Sequence, residues 1–238
     1  MDEFFAVGRH RVTEWHRAYI QNAYRELEEG TTRNQLDTLN IDATGKRVLD
    51  VGCGAGNLLV ALSTDTPELL VGVDVDAVFL TYGRSQIGEF VAPFSADPVL
   101  LRAALPNLPF ADETFDVVTC FLVMPHVPDD KAALMELARV LKPGGTLAIS
   151  GHGLGFPLRY LKRFRLKPLQ MYLASLIYGC TGKKWIRNTL QNDRKICDLL
   201  KRIGVVPEMR HYNKRVLGCV ATYWIKAIKS DVSPKATQ

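Results

Sequence analysis

The chain has 238 residues, 47% hydrophobic and 23% charged, which is room for one good-sized α/β domain or a compact domain with embellishments. That balance excludes a disordered tail protein, a coiled coil and a collagen-like chain, and no apolar run approaches the ~20 residues of a membrane-spanning helix. The net charge of +5 hides an asymmetry, because residues 1–158 carry 12 Lys and Arg against 21 Asp and Glu, a balance of −9, whereas residues 159–215 carry 15 against 3, a balance of +12.

In chain order, the opening MDEFFAVGRHRVTEW is acidic and lacks the apolar core of a secretory signal. Val12, Trp15, Tyr19, Ala23 and Leu27 recur at helical spacings and predict a helix over 9–28, ended by Gly30. A short helix is expected over 33–39. From residue 47, RVLDVGC reads as a strand buried on both faces of a parallel sheet. NLLVALS then opens a helix, LLVGVDVD is a strand, AVFLTYGRSQIGEF a helix, and PVLLRAA and TFDVVTCFLV are strands. KAALMELARVL is a helix stopped by KPGG, and TLAISG is the next strand. This alternation predicts βαβ units and a doubly wound, mostly parallel sheet. Further on, Leu158, Leu161 and Phe164 face away from Arg159, Lys162, Arg163, Arg165 and Lys167, in a run expected to break at Pro168. The apolar PLQMYLASLIY follows. A last crossover helix starts at Thr189 or Asn192 and stops at Gly204. PEMRHYN and GCVATYWIKAI lie too close together for a crossover helix and should pair antiparallel at the sheet edge. Cys53, Cys120, Cys180, Cys197 and Cys219 form no CxxC pair and read as reduced thiols, with neither a metal site nor a disulfide frame.

The segment that carries chemistry is VLDVGCGAGNLL. Gly52, Gly54 and Gly56 sit between a strand and a helix, where the backbone can turn tightly and approach a ligand. Asp74 ends the next strand, 18 residues after Gly56, where a carboxylate can accept both ribose hydroxyls of an adenosine. Loop and acid together predict a nucleotide site. The later glycine of a pyrophosphate-binding loop is replaced by Leu58.

At this point roughly residues 45–150 resemble the class I S-adenosylmethionine-dependent methyltransferases of small-molecule type. The resemblance rests on VLDVGCGAG, GVDVD, LPFADETFDVV and ARVLKPGGTLAIS, in that order. It implies a Rossmann-like, seven-stranded sheet with one antiparallel strand near the C-terminus, and S-adenosylmethionine as cofactor. It further implies that Asp50 anchors the cofactor's ammonium group, that Gly52, Cys53, Gly54 and Gly56 line its methionine part, and that Asp74 holds the ribose. Val75 would pack on adenine, and Cys120 and Phe121 would flank the methionine moiety. Many relatives place an acid where this chain has Ala104, so adenine would rely on the backbone of Ala104 and Leu105. The implied organisation is an N-terminal helical cap over 1–44, a cofactor-binding core over 45–154, a basic and apolar lid insertion over 155–190, a last helix and closing strand pair over 191–229, and a tail over 230–238.

Methyl transfer from a sulfonium needs a base only when the acceptor must lose its proton early. His126, after the fourth strand, and His152, after TLAISG, are the catalytic candidates, each with a packing role as its plain alternative. Trp15 and Tyr19 are candidate substrate-binding residues, with core packing as theirs. The expected acceptor is small and largely apolar, methylated on oxygen, with nitrogen or carbon as alternatives. Three roles compete for the basic segment: a substrate lid, a peripheral contact with anionic membrane through 158–178 that serves a lipid or quinone-type acceptor, and an RNA surface using Tyr160, Phe164, Tyr172 and Trp185. No recognised RNA module accompanies the last, which weighs against nucleic acid. A non-catalytic, cofactor-binding partner subunit is the remaining alternative. The expected protein is cytoplasmic, with membrane association as a variant, and a monomer or homodimer.

Overall fold

Alternating apolar runs become strands, and the amphipathic runs between them become the helices that cover the sheet. The computed structural model describes residues 12–90, 97–158, 167–181, 184, 190–212, 215–216 and 219–231. Along them run α1 (Glu14–Glu28), α2 (Thr31–Thr38), β1 (Arg47–Val51), α3 (Asn57–Ser63), β2 (Leu69–Asp74), α4 (Ala77–Phe90), β3 (Val99–Arg102) and β4 (Phe115–Cys120). A 3-10 turn (Met124–His126) follows, then α5 (Asp130–Val140), β5 (Leu141–His152), α6 (Lys167–Thr181), α7 (Asp193–Arg202), β6 (Val205–Tyr212), β7 (Arg215–Val216), β8 (Cys219–Val220) and β9 (Thr222–Lys229).

Seven strands form one sheet in the order β3-β2-β1-β4-β5-β9-β6. The first five are mutually parallel, and β9 is antiparallel to both of its neighbours, β5 and β6. Successive side chains of a strand point to opposite faces, and β1 shows the consequence. Val48 enters a core with Leu36, Leu59, Leu62 and Leu80 of α2, α3 and α4. Leu49 and Val51 enter a second core with Leu134, Leu137, Ile196 and Leu200 of α5 and α7. The sheet is therefore doubly wound, as the sequence predicts. α1 lies outside the first helical layer, with Ile20 and Tyr24 packed on Ala55 and Phe79.

Local chemistry sets the element ends, and several differ from expectation. α1 begins at Glu14 because Thr13 caps it, its hydroxyl accepting from the His16 amide at 3.3 Å; residues 9–11 lie outside the described residues. Asn192, not Thr189, is the N-cap of α7, accepting from the Arg194 amide at 2.9 Å; Thr189 also lies outside the described residues. β4 ends before the expected FLV because Leu122 has φ +59°, and β3 ends at Arg102, before Ala103 and Ala104. KPGG does not separate helix from strand: the amides of Glu113 and Thr114 donate to the carbonyls of Arg139 and Val140 at 2.8 and 2.9 Å, so pairing begins at once and β5 absorbs the segment with a register shift opposite Phe115 and Val117. Pro168 lies in the first turn of α6, where its missing amide costs no hydrogen bond. The preceding basic run lies largely outside the described residues. β6 alone takes the sheet edge, and Cys219 and Val220 leave the final strand to form a two-stranded ribbon with β7.

Candidate functional site

β1, β2 and β4 lie side by side, so their carboxyl ends bring Asp50, Asp74 and Thr119 to one edge. Asp50 and Thr119 face each other across the β1–β4 pair, and the threonine hydroxyl donates to Asp50 Oδ1 at 2.7 Å. Burial, seconded by the charge of Asp74, pushes the Asp50 carboxyl up to about 7 against the pull of that hydrogen bond. The loop between β1 and α3 then turns back: the amides of Gly52 and Cys53 donate to the Val73 carbonyl at 2.7 and 3.0 Å. Gly52 has φ +76°, and a Cβ there would stand 2.1 Å from Val123 Cγ2. Both the backbone and the packing thus require glycine. The Gly54 amide donates to Asp74 Oδ2 at 2.9 Å, and the Asp76 amide to Asp74 Oδ1 at 2.8 Å. Burial raises the Asp74 carboxyl as well, opposed by these two amides.

α1 closes over this loop. The Tyr19 ring stands 3.3 Å from where a Gly54 Cβ would be, and burial followed by the charge of Asp74 lifts its phenol to about 12. Tyr19 packs against Phe79 with centroids 4.8 Å apart and the rings tilted, and Trp15 does so at 5.4 Å. Buried His16 fastens the helix by contacting Asp76 Oδ2 at 3.0 Å. Of the two aromatic candidates, both partly open to solvent at 43 and 61%, Tyr19 lies against the glycine loop and Trp15 stands at the rim.

The other candidates divide. Val75 is exposed just beyond Asp74, and Ala104 and Leu105 are half-buried next to it, beyond β3, where the Ala103 amide donates to the Asp74 carbonyl at 3.1 Å. Gly56 precedes α3. Cys53 and Cys120 are buried, and burial pushes both thiols up, so they are neutral packing groups. Phe121 is half-buried against the α2–α3–α4 core. His126 is exposed on the 3-10 turn beyond β4. His152, expected on a loop, is the last residue of β5; it is buried and stacked on Phe156 at 3.6 Å.

Sequence reasoning missed two groups of residues. Ser150 accepts from the Leu122 amide at 2.9 Å and so helps hold the left-handed Leu122, from which Val123 reaches Gly52. Farther along, the carboxylate of Asp130 at the start of α5 is buried among Lys184, Tyr178 and Gln191. Lys184 pairs with Asp130 and also donates to the Met124 carbonyl at 2.6 Å. Tyr178 of α6 donates to the same carboxylate, as does Gln191 at 2.8 Å. Burial lowers the Lys184 ammonium and the Asp130 charge raises it again. In the sequence Lys184 is one of many cations in a basic run, and nothing distinguishes it.

The comparisons agree with this geometry. A family profile described as a methyltransferase domain matches residues 49–149. The chain is 31% identical over 136 residues, 56% of its length and 49% of the relative's, to the 27-O-demethylrifamycin SV methyltransferase of Amycolatopsis mediterranei. It is 32% identical over 145 residues, 55% of its length and 58% of the relative's, to a demethylmenaquinone methyltransferase of Roseiflexus. The chain thus spans about half the length of the curated relatives it matches. In fold it is similar to magnesium protoporphyrin IX methyltransferase from Synechocystis, with TM-score 0.63, 20% identity, and coverage of 94% of this chain and 90% of that one. The site suits the cofactor of such a domain: a buried carboxylate for an ammonium group, a second for a ribose diol, and a left-handed glycine turn under a tyrosine. Residues 49–149 thus match a methyltransferase domain, the resemblance to the class I S-adenosylmethionine-dependent methyltransferases holds over that segment, and S-adenosylmethionine is the cofactor its site suits.

Proposed function

We propose that this chain transfers a methyl group from S-adenosylmethionine to a small, largely apolar acceptor, on oxygen in the first instance, with nitrogen and carbon as the alternatives. The observation that carries this reading is the glycine loop held between two carboxylates, buried Asp50 and half-buried Asp74, with Tyr19 across it. When bound, the cofactor supplies an electrophilic methyl group that is displaced in line from sulfur. The residues of the chain bind, orient and shield. Asp50 takes the ammonium group, Asp74 the ribose hydroxyls, and the backbone of Gly52, Cys53, Gly54 and Gly56 the methionine part. Val75 and the backbone of Ala104 and Leu105 border adenine, and Cys120 and Phe121 border the methionine side.

Burial of Cys53 and Cys120 as neutral thiols supports a direct transfer with no protein nucleophile. Exposure of His126 at the carboxyl edge of the sheet supports it as the base that accepts the acceptor's proton, because ligands of open α/β sheets bind along that edge. The stacking of His152 on Phe156 supports a wall rather than a base. Trp15, at the rim, borders the acceptor entrance. The relatives named for demethylrifamycin and demethylmenaquinone support a small-molecule acceptor and leave room for both oxygen and carbon.

Calorimetric titration with S-adenosylhomocysteine is the first test. Asp74→Ala removes charge-assisted hydrogen bonds of ~1.5–3 kcal/mol, so affinity should fall about 10- to 100-fold. Undetectable binding by the wild-type protein would overturn the proposal. Radiolabelled methyl transfer to a panel of phenols, quinols and amines then assigns the acceptor atom. With a phenol, His126→Gln should lower kcat by about 100-fold or more and leave KM nearly unchanged.

A further inference from the structure

α6 is apolar on two faces. Met171, Ala174 and Tyr178 are buried, which uses one face to hold the helix on the protein. Leu169, Leu173, Leu176 and Ile177 recur on the other side and are 57, 52, 67 and 42% exposed. A surface helix ordinarily presents polar residues there. Leu154, also exposed, extends the stripe, since the Tyr172 hydroxyl donates to its carbonyl at 2.7 Å. Single exposed leucines need no account, but a stripe of this length on one helix marks an interaction surface.

Charge decides what covers it. Residues 158–190, on both sides of and including α6, contain eight Lys and Arg and no Asp or Glu. Lys184 is engaged with Asp130; the remaining seven have no acidic neighbour within the segment. A second copy docked about a two-fold axis would set this cationic segment against itself. An anionic surface with an apolar interior complements both features. Among the described residues no helix is long and apolar enough to cross a membrane, so the contact is peripheral.

We propose that the outer face of α6, with Leu154, docks on an anionic lipid bilayer, the leucines entering the acyl boundary and the cationic composition of residues 158–190 favouring the anionic headgroups. Leu154 follows His152 by two residues, so docking would turn the carboxyl end of β5 toward the bilayer, a source of apolar molecules. The contact stands or falls independently of methyl transfer.

The test is co-sedimentation of the full chain with vesicles of phosphatidylcholine alone and of phosphatidylcholine with phosphatidylglycerol, at ~0.1 M and ~0.5 M salt. Binding is expected to the anionic vesicles, about tenfold weaker at the higher salt or without phosphatidylglycerol. Leu173→Asp with Leu176→Asp should abolish it while leaving the affinity for S-adenosylhomocysteine unchanged, which shows that the fold is intact. Three results would each overturn the proposal: no sedimentation of the wild-type chain with anionic vesicles, sedimentation insensitive to the double substitution, or light scattering that finds a wild-type dimer made monomeric by it.

Discussion

Asp50 is a buried acid held near neutrality, and its ideal partner is a cation that arrives with the ligand. Its carboxyl rises from 3.8 to about 7 on folding. Between those values the ligand-free native state binds more protons than the unfolded chain, so this group's contribution to stability falls as pH rises through the window. Binding of an ammonium group reverses the preference and expels the proton. The affinity for S-adenosylhomocysteine should therefore rise with pH, being about tenfold weaker near pH 6 than near pH 8. Calorimetry in two buffers of different ionisation enthalpy reads the released proton directly, and Asp50→Asn should bind weakly with no pH dependence over this range. At Gly52 the constraint is steric instead. Gly52→Ala combines a left-handed alanine with a collision against Val123, and should cost about 2–4 kcal/mol in urea denaturation. Adding Val123→Ala relieves the collision and not the backbone, so it should restore only part of the loss; full restoration would show that φ +76° is no constraint.

Between elements, the cluster around Asp130 joins α5, α6 and the chain between α6 and α7. A buried ion pair of this kind contributes little net stability, because desolvation offsets attraction, yet breaking it leaves an uncompensated charge. Lys184→Met should destabilise the protein by about 3–5 kcal/mol, and adding Asp130→Asn should recover most of that. If the single substitution is neutral in chemical denaturation, the pair does not hold the α6 region. The cluster also marks where sequence legibility ends. Strands such as RVLDV are readable because burial on both faces leaves a short apolar run, and the loop with Asp74 is readable because φ and close approach restrict residue choice. Lys184 uses an ordinary residue type for an unusual purpose, and only the tertiary placement of Asp130 and Tyr178 shows it. The same holds for Ser150, whose hydroxyl serves the Leu122 amide across the β4–β5 pair. β5's absorption of KPGG was hidden for a related reason: Pro and Gly signal a break locally, and the amides of Glu113 and Thr114 overrule it.

At the scale of the whole molecule, the site is shared between the sheet and α1, which the sheet does not hold by strand pairing. Its attachments are side-chain contacts, among them His16 on Asp76, the Tyr24 hydroxyl on the Ala55 carbonyl at 3.0 Å, Ile20 and Tyr24 against Ala55 and Phe79, and the rings packed on Phe79. α1 is thus expected to open at lower free energy than β1, β4 and β5, whose amides are paired on both sides within the sheet. A ligand bound between the glycine loop and Tyr19 adds contacts to α1 and to the loop together. Ligand at 100 times its Kd stabilises the native state by about 2.7 kcal/mol, and this gain should be unevenly distributed. In hydrogen exchange, saturating S-adenosylhomocysteine should slow the amides of α1 and of 52–56 by about tenfold or more, while α7, whose core is on the far side of the sheet from α1, changes little at the level of local opening. Equal protection of every element would mean that exchange proceeds through global unfolding and that α1 is no separate unit. Unchanged α1 with a protected glycine loop would mean that the helix does not close over the cofactor, and Tyr19 would lose its assigned place.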